Sequence, residues 1–368
     1  MLAVHLTSVH SRYDTRILLK MCRSLAAAGH GVTLVVADGR GEEEKDGVRI
    51  LDVGKPNGRR DRMVAATRRV LRQALALDAD VYHLHDPELL PAGLALKRDG
   101  KRVIFDAHED LPKQILSKPY LHPLLRRSIS ALAGGFERFT CRRLDTVVAA
   151  TPAIRDKFTS LGINATDINN FPVLGELEAQ VPWSKKATEV CYVGGIFATR
   201  GIREIVAAVA MSDVRLNLGG SFSEADVSAE VRTMPGWRNV NELGFLSRAG
   251  VQDVLASSIA GLVTLHPTPA YLDSLPVKMF EYMSAGLPVI ASHFPLWREI
   301  IEGNECGICV DPLAPAAIAA AIDRLVENPD LARRMGENGR RAVHERYNWG
   351  IEEKKLIGLY RELLSRPA

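Results

Sequence analysis

The sequence lacks most of the features that would place it outside the ordinary globular proteins. No apolar run approaches the roughly 20 residues needed to cross a bilayer as a helix, so no spanning segment is expected. Cysteine is scarce and odd in number, with five residues at positions 22, 141, 191, 306 and 309. That scatter argues against a disulfide framework and makes a reducing, cytoplasmic location the expectation. Aromatics make up only 6% of the chain and are not interleaved with the basic residues, which argues against a nucleic-acid partner. Nor does the opening stretch, MLAVHLTSVHSRYDTR, place a basic region ahead of its apolar run or offer a cleavage site, so a buried first strand is expected there rather than a signal peptide. One CxxC is present, Cys306 to Cys309 in NECGICVDP. It has no second ligand pair beside it and reads as a small apolar strand, not as a metal or redox centre.

What is there is length and alternation. The 368 residues are 46% hydrophobic and 25% charged, enough for two cores. Short apolar runs alternate with helical patterns, as in AVHLTSV, TRILLKMCRSLAAAG, GVTLVVAD and, further on, VCYVGGI, GIREIVAAVAM, VRLNLGG. Such alternation predicts parallel α/β sheets. The stretch FPVLGELEAQVPWSKKATE has neither period and carries Pro172 and Pro182, which predicts a linker. The expected division is a Rossmann-like domain over residues 1–172, a second over 173–345, and a C-terminal amphipathic segment over 346–368. The net charge of +3 hides an asymmetry, +7 before residue 173 and −4 after it. The first half should therefore draw anionic partners.

In doubly wound sheets ligands bind beyond the carboxyl ends of the strands, so those loops hold the candidates. In SLPVKMFEYMSAGLPVI a helix is expected after a loop that ends in Asp273, Ser274 and Leu275. Asp273 or Ser274 is expected to cap it, with Pro276 in its first turn. Val277, Phe280, Met283 and Leu287 form the expected core face, leaving Lys278 and Glu281 as a narrow polar stripe. Lys278 preceding Glu281 by three is the poorer orientation for a helical ion pair, and a cation near a helix N-terminus is disfavoured. The pair fits a ligand better: Lys278 and the first-turn amides toward phosphate, Glu281 toward a ribose diol, whose two hydroxyls donate to both carboxylate oxygens. A solvated face is the plain alternative. A second anion candidate is YVGGIFATRGI, where Gly194 and Gly195 permit close backbone approach and Arg200 can fork onto a diphosphate.

The first half places His85, Asp86, His108, Glu109 and Asp110 just past two strands, with His10, Arg12, Asp14 and Arg16 in the first loop. Their spacings match no standard metal-ligand pattern, and Glu109 and Asp110 also suit a helix start. The DxD formed by Asp78 and Asp80 precedes its strand and reads as a turn. Two helical stretches rich in arginine, RRDRMVAATRRVLRQALAL and LLRRSISALAGGFERFTCRR, have the character of surfaces that meet an anionic membrane or simply solvent. In the first, Met63, Thr67, Val70 and Ala74 lie on one stripe.

Together these motifs resemble the retaining GT-B glycosyltransferases of family 4, in a bacterial branch that builds surface polysaccharides. The resemblance rests on HSRYDTRILLKMCRSLAAAGHGVTLV, FDAHED, YVGGIFATRGI and above all SLPVKMFEYMSAGLPVI followed by CGICVDP. It implies two Rossmann-like domains facing a cleft, with the C-terminal helix crossing back to the first. It also implies transfer of a hexose or N-acetylhexosamine, with UDP preferred over GDP, onto a glycan or lipid-linked acceptor for lipopolysaccharide, capsule or exopolysaccharide. By the same resemblance Glu281 holds the donor ribose, Asp273 meets the sugar, and the backbone near His108 lies on the sugar's other face. Arg200, Lys278 and the helix-terminus amides, through Ser274 and Leu275, hold the diphosphate with no metal and no cofactor beyond the donor. The protein would then be cytoplasmic and peripheral at the inner membrane face. Two departures stand out. Asp273 replaces the usual Glu, and Gly195 stands where an Arg is usual. They leave open a non-catalytic nucleotide-sugar-binding protein, and a nucleotide-sugar 2-epimerase of GT-B fold, which would need catalytic carboxylates and a base around the donor sugar, is a further alternative.

Overall fold

The structure, a computed structural model, describes residues 1–117, 122–178 and 181–365. Residues 179–180 of the expected linker and 366–368 of the expected C-terminal segment lie outside the described residues. The chain divides into two compact units, Met1–Asn170 with Ile351–Ala368, and Phe171–Gly350.

The first unit is built on eight strands: β1 (Leu2–Leu6), β2 (Gly31–Val36), β3 (Glu43–Lys45), β4 (Val48–Asp52), β5 (Val81–Leu84), β6 (Arg102–Ala107), β7 (Thr146–Ala149) and β8 (Ala165–Asp167). Their order is β3-β4-β2-β1-β5-β6-β7-β8. Every pairing is parallel except β3 with β4. Buried on both faces, the central strands read as near-continuous apolar runs rather than alternations, interrupted by buried His5 in β1, His83 in β5 and Asp106 in β6. Strand order reverses between β1 and β5, so the crevice beyond their carboxyl ends is the topological switch point. The loop that starts at Thr7 and the His85–Asp86 pair both leave from there.

Two local features were not expected from the sequence. A hairpin joins β3 to β4 through Asp46 and Gly47, with φ of 52° and 75°. Positive φ at both central positions matches the turn that follows strand twist, and Asp-Gly is its strongest signal. The first helix opens with a wider turn over Ile17–Cys22, in which the Met21 N–H donates to the Arg16 carbonyl at 3.0 Å. A similar wide turn over Arg62–Ala66 breaks the predicted stripe of the following helix. Val70 and Ala74 stay buried, but Met63 is 52% exposed, because a wide turn rotates the residues before it off the 3.6-residue face.

The C-terminal helix Trp349–Ser365 belongs, from Ile351 on, to the first unit. It buries Leu356, Leu359, Tyr360 and Leu363. Its Glu352 carboxylate accepts the Asn169 N–H at 2.8 Å, and Lys355 pairs with Asp167 at 3.1 Å.

The second unit has six parallel strands: β9 (Glu189–Val193), β10 (Arg215–Gly219), β11 (Val240–Gly244), β12 (Ala260–Val263), β13 (Val289–Ser292) and β14 (Gly307–Val310). The order β11-β10-β9-β12-β13-β14 puts its switch point between β9 and β12. Two cores fill its faces. One joins Tyr192, Leu216 and Leu218 to the helix Ile202–Val209, and the other joins Val289 and Ala291 to the helix Val277–Ser284. The helix Pro329–Glu345, poor in apolar residues and not anticipated, packs on Val277–Ser284. Gly336 makes that approach possible, since a Cβ there would meet the Gly286 carbonyl oxygen at 2.0 Å.

Candidate active site

At the second unit's switch point, β9 runs out into Gly194 and Gly195. Gly194 has φ of 129° and Gly220, at the end of neighbouring β10, has φ of 144°. A Cβ on Gly220 would lie 1.9 Å from the Gly194 carbonyl oxygen, so the two strand ends approach as closely as backbone allows. They floor a cavity of about 290 Å³ lined by Gly194, Gly195, Gly219, Gly220, Phe245 and Leu246 among others. Phe245 is 88% exposed, a bare ring on that lining. Sequence reasoning found the Gly194–Gly195 wall but missed the opposite one, although the glycine pair closing VRLNLGG repeats the same strand-end signal.

Two cations converge on the glycines. A Cβ built on Gly194 would stand 3.3 Å from the Lys278 Nζ, and one on Gly195 would stand 3.2 Å from the Arg200 Nη1. Arg200 donates to the Gly195 carbonyl at 3.1 Å and lies over the Phe197 ring at 4.9 Å from its centre. Gly201, with φ of 78°, closes this loop against β12's end, where a Cβ would meet the Thr264 carbonyl oxygen at 2.1 Å. Lys278 is turned inward over the Tyr192 ring, 3.4 Å from its centre. Its Nζ and the Arg200 Nε are buried and make no hydrogen bond among the described residues. Burial, then the Arg200 charge, holds the Lys278 ammonium well below the usual lysine range. The Glu281 charge offsets this only in part; a buried cation short of hydrogen bonds is costly, and an anion bound there would relieve it.

The helix carrying Lys278 spans Val277–Ser284, and its cap residue is Pro276, with no side-chain cap bond. This corrects the expected cap at Asp273 or Ser274. The Ser274 hydroxyl donates instead to the Tyr271 carbonyl at 2.8 Å, and its own carbonyl accepts the Trp297 indole N–H at 2.7 Å. Leu275 packs against the core and Asp273 is exposed. Phe280, Met283 and Leu287 are fully buried, while Val277 at the open first turn is only half-buried. Glu281 pairs with Arg248 at 2.7 Å, and Arg248 also holds Glu176 at 2.7 Å. Lys278 and Glu281 thus lean different ways, and Arg248 is a partner that the local sequence did not announce.

In the first unit the switch point gathers His10, His85, Asp86, Asp106 and His108. Arg16 forks onto Asp106 at 2.9 and 2.7 Å. His108 Nε2 lies 2.9 Å and His85 Nδ1 3.1 Å from Asp106 Oδ2. Burial works against the Asp106 charge, but Arg16 and then His108 outweigh it and hold the carboxyl well below its usual range. His10 sits 3.3 Å from Asp86 and 3.5 Å from Asp14. Asp106, at the end of β6, was missed because an aspartate inside an apolar strand has no sequence partner in view.

The other first-unit candidates have local roles. Arg12 bridges Asp38 and Glu43 at 2.6 and 2.8 Å, clamping the β3–β4 hairpin. Asp86 accepts the Ser8 N–H at 2.6 Å. Asp110 caps the helix Leu111–Leu116, and Glu109 accepts from Gln114. Asp80 accepts the Leu2 N–H at 2.7 Å and Asp78 adopts φ of 45°, a turn as expected. Two groups, His5–His83–His85 and His85–Asp106–His108, bring ligand atoms within 4.8 Å of one another. Within them, His5 Nδ1 already meets His85 Nε2 at 2.8 Å.

Two family models match the chain in series, Glycosyltransferase Family 4 over residues 15–171 and Glycosyl transferases group 1 over residues 175–342. The chain belongs to glycosyltransferase family 4. The Streptomyces kanamyceticus alpha-D-kanosaminyltransferase is 26% identical to this family 4 chain over 183 residues, which cover 47% of the chain and 45% of that protein. The matched segments span about half the length of such relatives. In fold, this family 4 chain is similar to the Thermosynechococcus elongatus sucrose-phosphate synthase, with TM-score 0.78, 18% identity and 99% of each chain covered. It is also similar to Anabaena HepE solved with UDP and glucose, with TM-score 0.76, 15% identity, and 98% of this chain and all of that one covered. Both are GT-B folds, and so is this one. Among the described residues no helix is long and apolar enough to cross a membrane.

Proposed function

We propose that this family 4 chain transfers a hexose or N-acetylhexosamine, with retention, from a UDP-sugar to a glycan or lipid-linked acceptor of a bacterial surface polysaccharide. The observation that carries the reading is the pair of buried cationic atoms without hydrogen bonds, Lys278 Nζ and Arg200 Nε, against the Gly194–Gly195 strand end. A diphosphate supplies the missing charge. As the bond between the sugar and the diphosphate breaks, negative charge grows on the leaving oxygen, and these groups bind that state more tightly than the intact donor. The acceptor's oxygen bonds to the same face of the sugar carbon, and the departing phosphate takes its proton. The base stacks in the cavity beside Phe245. Glu281 accepts from the ribose hydroxyls, and Asp273 meets the sugar. UDP as the nucleotide is supported by HepE, whose structure holds it. No metal is needed where two side-chain cations and helix-start amides meet the phosphates.

The first unit takes the acceptor. Its helix Pro123–Cys141 carries exposed Leu125, Leu132, Phe136 and Phe139 in one stripe, and the Arg143 guanidinium lies over the Phe139 ring, 3.7 Å from its centre. A stripe of that composition suits an anionic membrane surface from which a lipid-linked acceptor is drawn.

Calorimetric titration with UDP and GDP in EDTA tests the donor site. The expected result is metal-free binding, UDP the tighter, with at least a tenfold loss in Glu281→Ala. Binding that requires a divalent ion, or wild-type affinity in the variant, overturns it.

A further inference from the structure

Behind Asp106 lies a row of buried histidines that the transfer reaction does not use. His5 on β1 and His83 on β5 are Cα partners in the sheet, and His85 is two residues further along on the same face. All three, and Tyr360 of the C-terminal helix, are buried. Their contacts form an unbroken chain. Asp106 Oδ2 meets His85 Nδ1 at 3.1 Å, and His85 Nε2 meets His5 Nδ1 at 2.8 Å. His5 Nε2 meets the Tyr360 hydroxyl at 3.2 Å, which meets His83 Nδ1 at 2.9 Å. The chain then stops, because His83 Nε2 is buried with no hydrogen-bond partner among the described residues.

Its direction follows from its two ends. Arg16 forks both Asp106 oxygens, so Asp106 is a carboxylate and can only accept. His85 must therefore donate from Nδ1, which leaves its Nε2 a lone pair for the His5 Nδ1–H. His5 Nε2 is then a lone pair for the Tyr360 O–H, and the Tyr360 oxygen accepts the His83 Nδ1–H. The last atom, His83 Nε2, is left as a bare acceptor. Reversing the chain would set a lone pair of His85 against the carboxylate and strand an N–H on His83. A buried unpaired donor is the rarer and costlier outcome. Both ends select the same polarity.

We infer that Tyr360 is a positioning residue for the His108 end of the first unit, acting through a one-way hydrogen-bond chain Tyr360–His5–His85–Asp106. Each donor in such a chain is polarised by the next, and Asp106 in turn holds His108 Nε2 at 2.9 Å. Seating of the C-terminal helix is thereby read at the mouth of the switch point. The chain's direction stands on geometry alone. Its effect on transfer rests on the proposed reaction.

The test is nitrogen-15 imidazole NMR of the full-length protein, whose shifts distinguish the two neutral tautomers, on wild type and on Tyr360→Phe. Nδ1–H neutral forms for His5, His83 and His85 at pH 7.5 are expected in wild type. In Tyr360→Phe the His5 Nε2 signal moves to that of an unbonded nitrogen, while turnover falls at least fivefold with the donor KM unchanged. An Nε2–H form of His5 or His85 in wild type overturns the direction, and needs no variant that folds. Shifted His5 signals with unaltered turnover overturn the positioning role. Absence of UDP binding, measured separately by calorimetry, would instead count against the donor site.

Discussion

The Lys278 ammonium lies 3.4 Å from the centre of the Tyr192 ring, and it makes no hydrogen bond. The ring face offers partial negative charge to a desolvated cation, yet Arg200, whose Nη1 lies within 4.0 Å of the same Cβ position on Gly194, repels it. On the proposed function, a bound diphosphate would relieve that repulsion.

Lys278→Met keeps the stem's packing and removes the buried charge. Thermal unfolding of the ligand-free variant should show a gain of about 1–3 kcal/mol, the cost of an unpaired buried polar group. Its UDP affinity should fall by at least an order of magnitude, since a charge-assisted contact worth roughly 1.5–3 kcal/mol is lost. A variant that is both less stable and equally avid would mean that Lys278 serves packing only.

Glycine substitutions should separate loop geometry from ligand contact. Gly201→Ala puts a Cβ 2.1 Å from the Thr264 carbonyl oxygen at φ of 78°, and urea unfolding should show a loss of about 2–4 kcal/mol. Gly195→Ala meets the Phe197 ring at 2.9 Å and the Arg200 guanidinium at 3.2 Å, both of them side chains with room to move. Its unfolding midpoint should change little while its UDP affinity drops.

Acid stability should follow the buried histidines. His5 and His83 are held well below their usual range by burial first and then the neighbouring ring of His85, and His85 is lowered by burial too. The unfolded chain takes up these protons as pH falls below about 6.5, and the folded chain does not. Their stabilisation is therefore whole above that pH and declines below it, by about 1.4 kcal/mol per unit for each histidine kept neutral. His10, raised toward its charged form by Asp14 and Asp86 despite burial, contributes in the opposite sense: its stabilisation is whole below about pH 6.5 and is lost as pH rises through its folded value. Unfolding midpoints should fall most between pH 6.0 and 5.0, less between pH 7.5 and 6.0, and a flat profile below pH 6 would contradict neutral rings.

The stripe on Pro123–Cys141 is tested with vesicles. Wild type should sediment with phosphatidylglycerol vesicles at low salt and not with phosphatidylcholine alone. Leu132 is 75% exposed, so Leu132→Glu with Phe136→Glu should leave the unfolding temperature nearly unchanged. The doubly substituted protein should lose most of the vesicle binding. Equal binding to both lipids would point away from charge attraction.

By itself the sequence determined the layered α/β architecture, because apolar runs of strand length separated by helical periods have few ways to be buried. It also marked Gly194, Gly195, Arg200, Lys278 and Glu281, because local features expose them: glycines at a strand's end, and charges in an otherwise apolar helix. Pairings across the sheet were decided only in three dimensions. That Arg248 takes Glu281, that Arg16 neutralises Asp106, and that His5 finds His85 and Tyr360 are meetings of residues 33 to 355 positions apart. No local pattern encodes them. They exist because parallel strands lay their carboxyl ends side by side, and burial there leaves each polar group to find a partner among whatever the topology delivers.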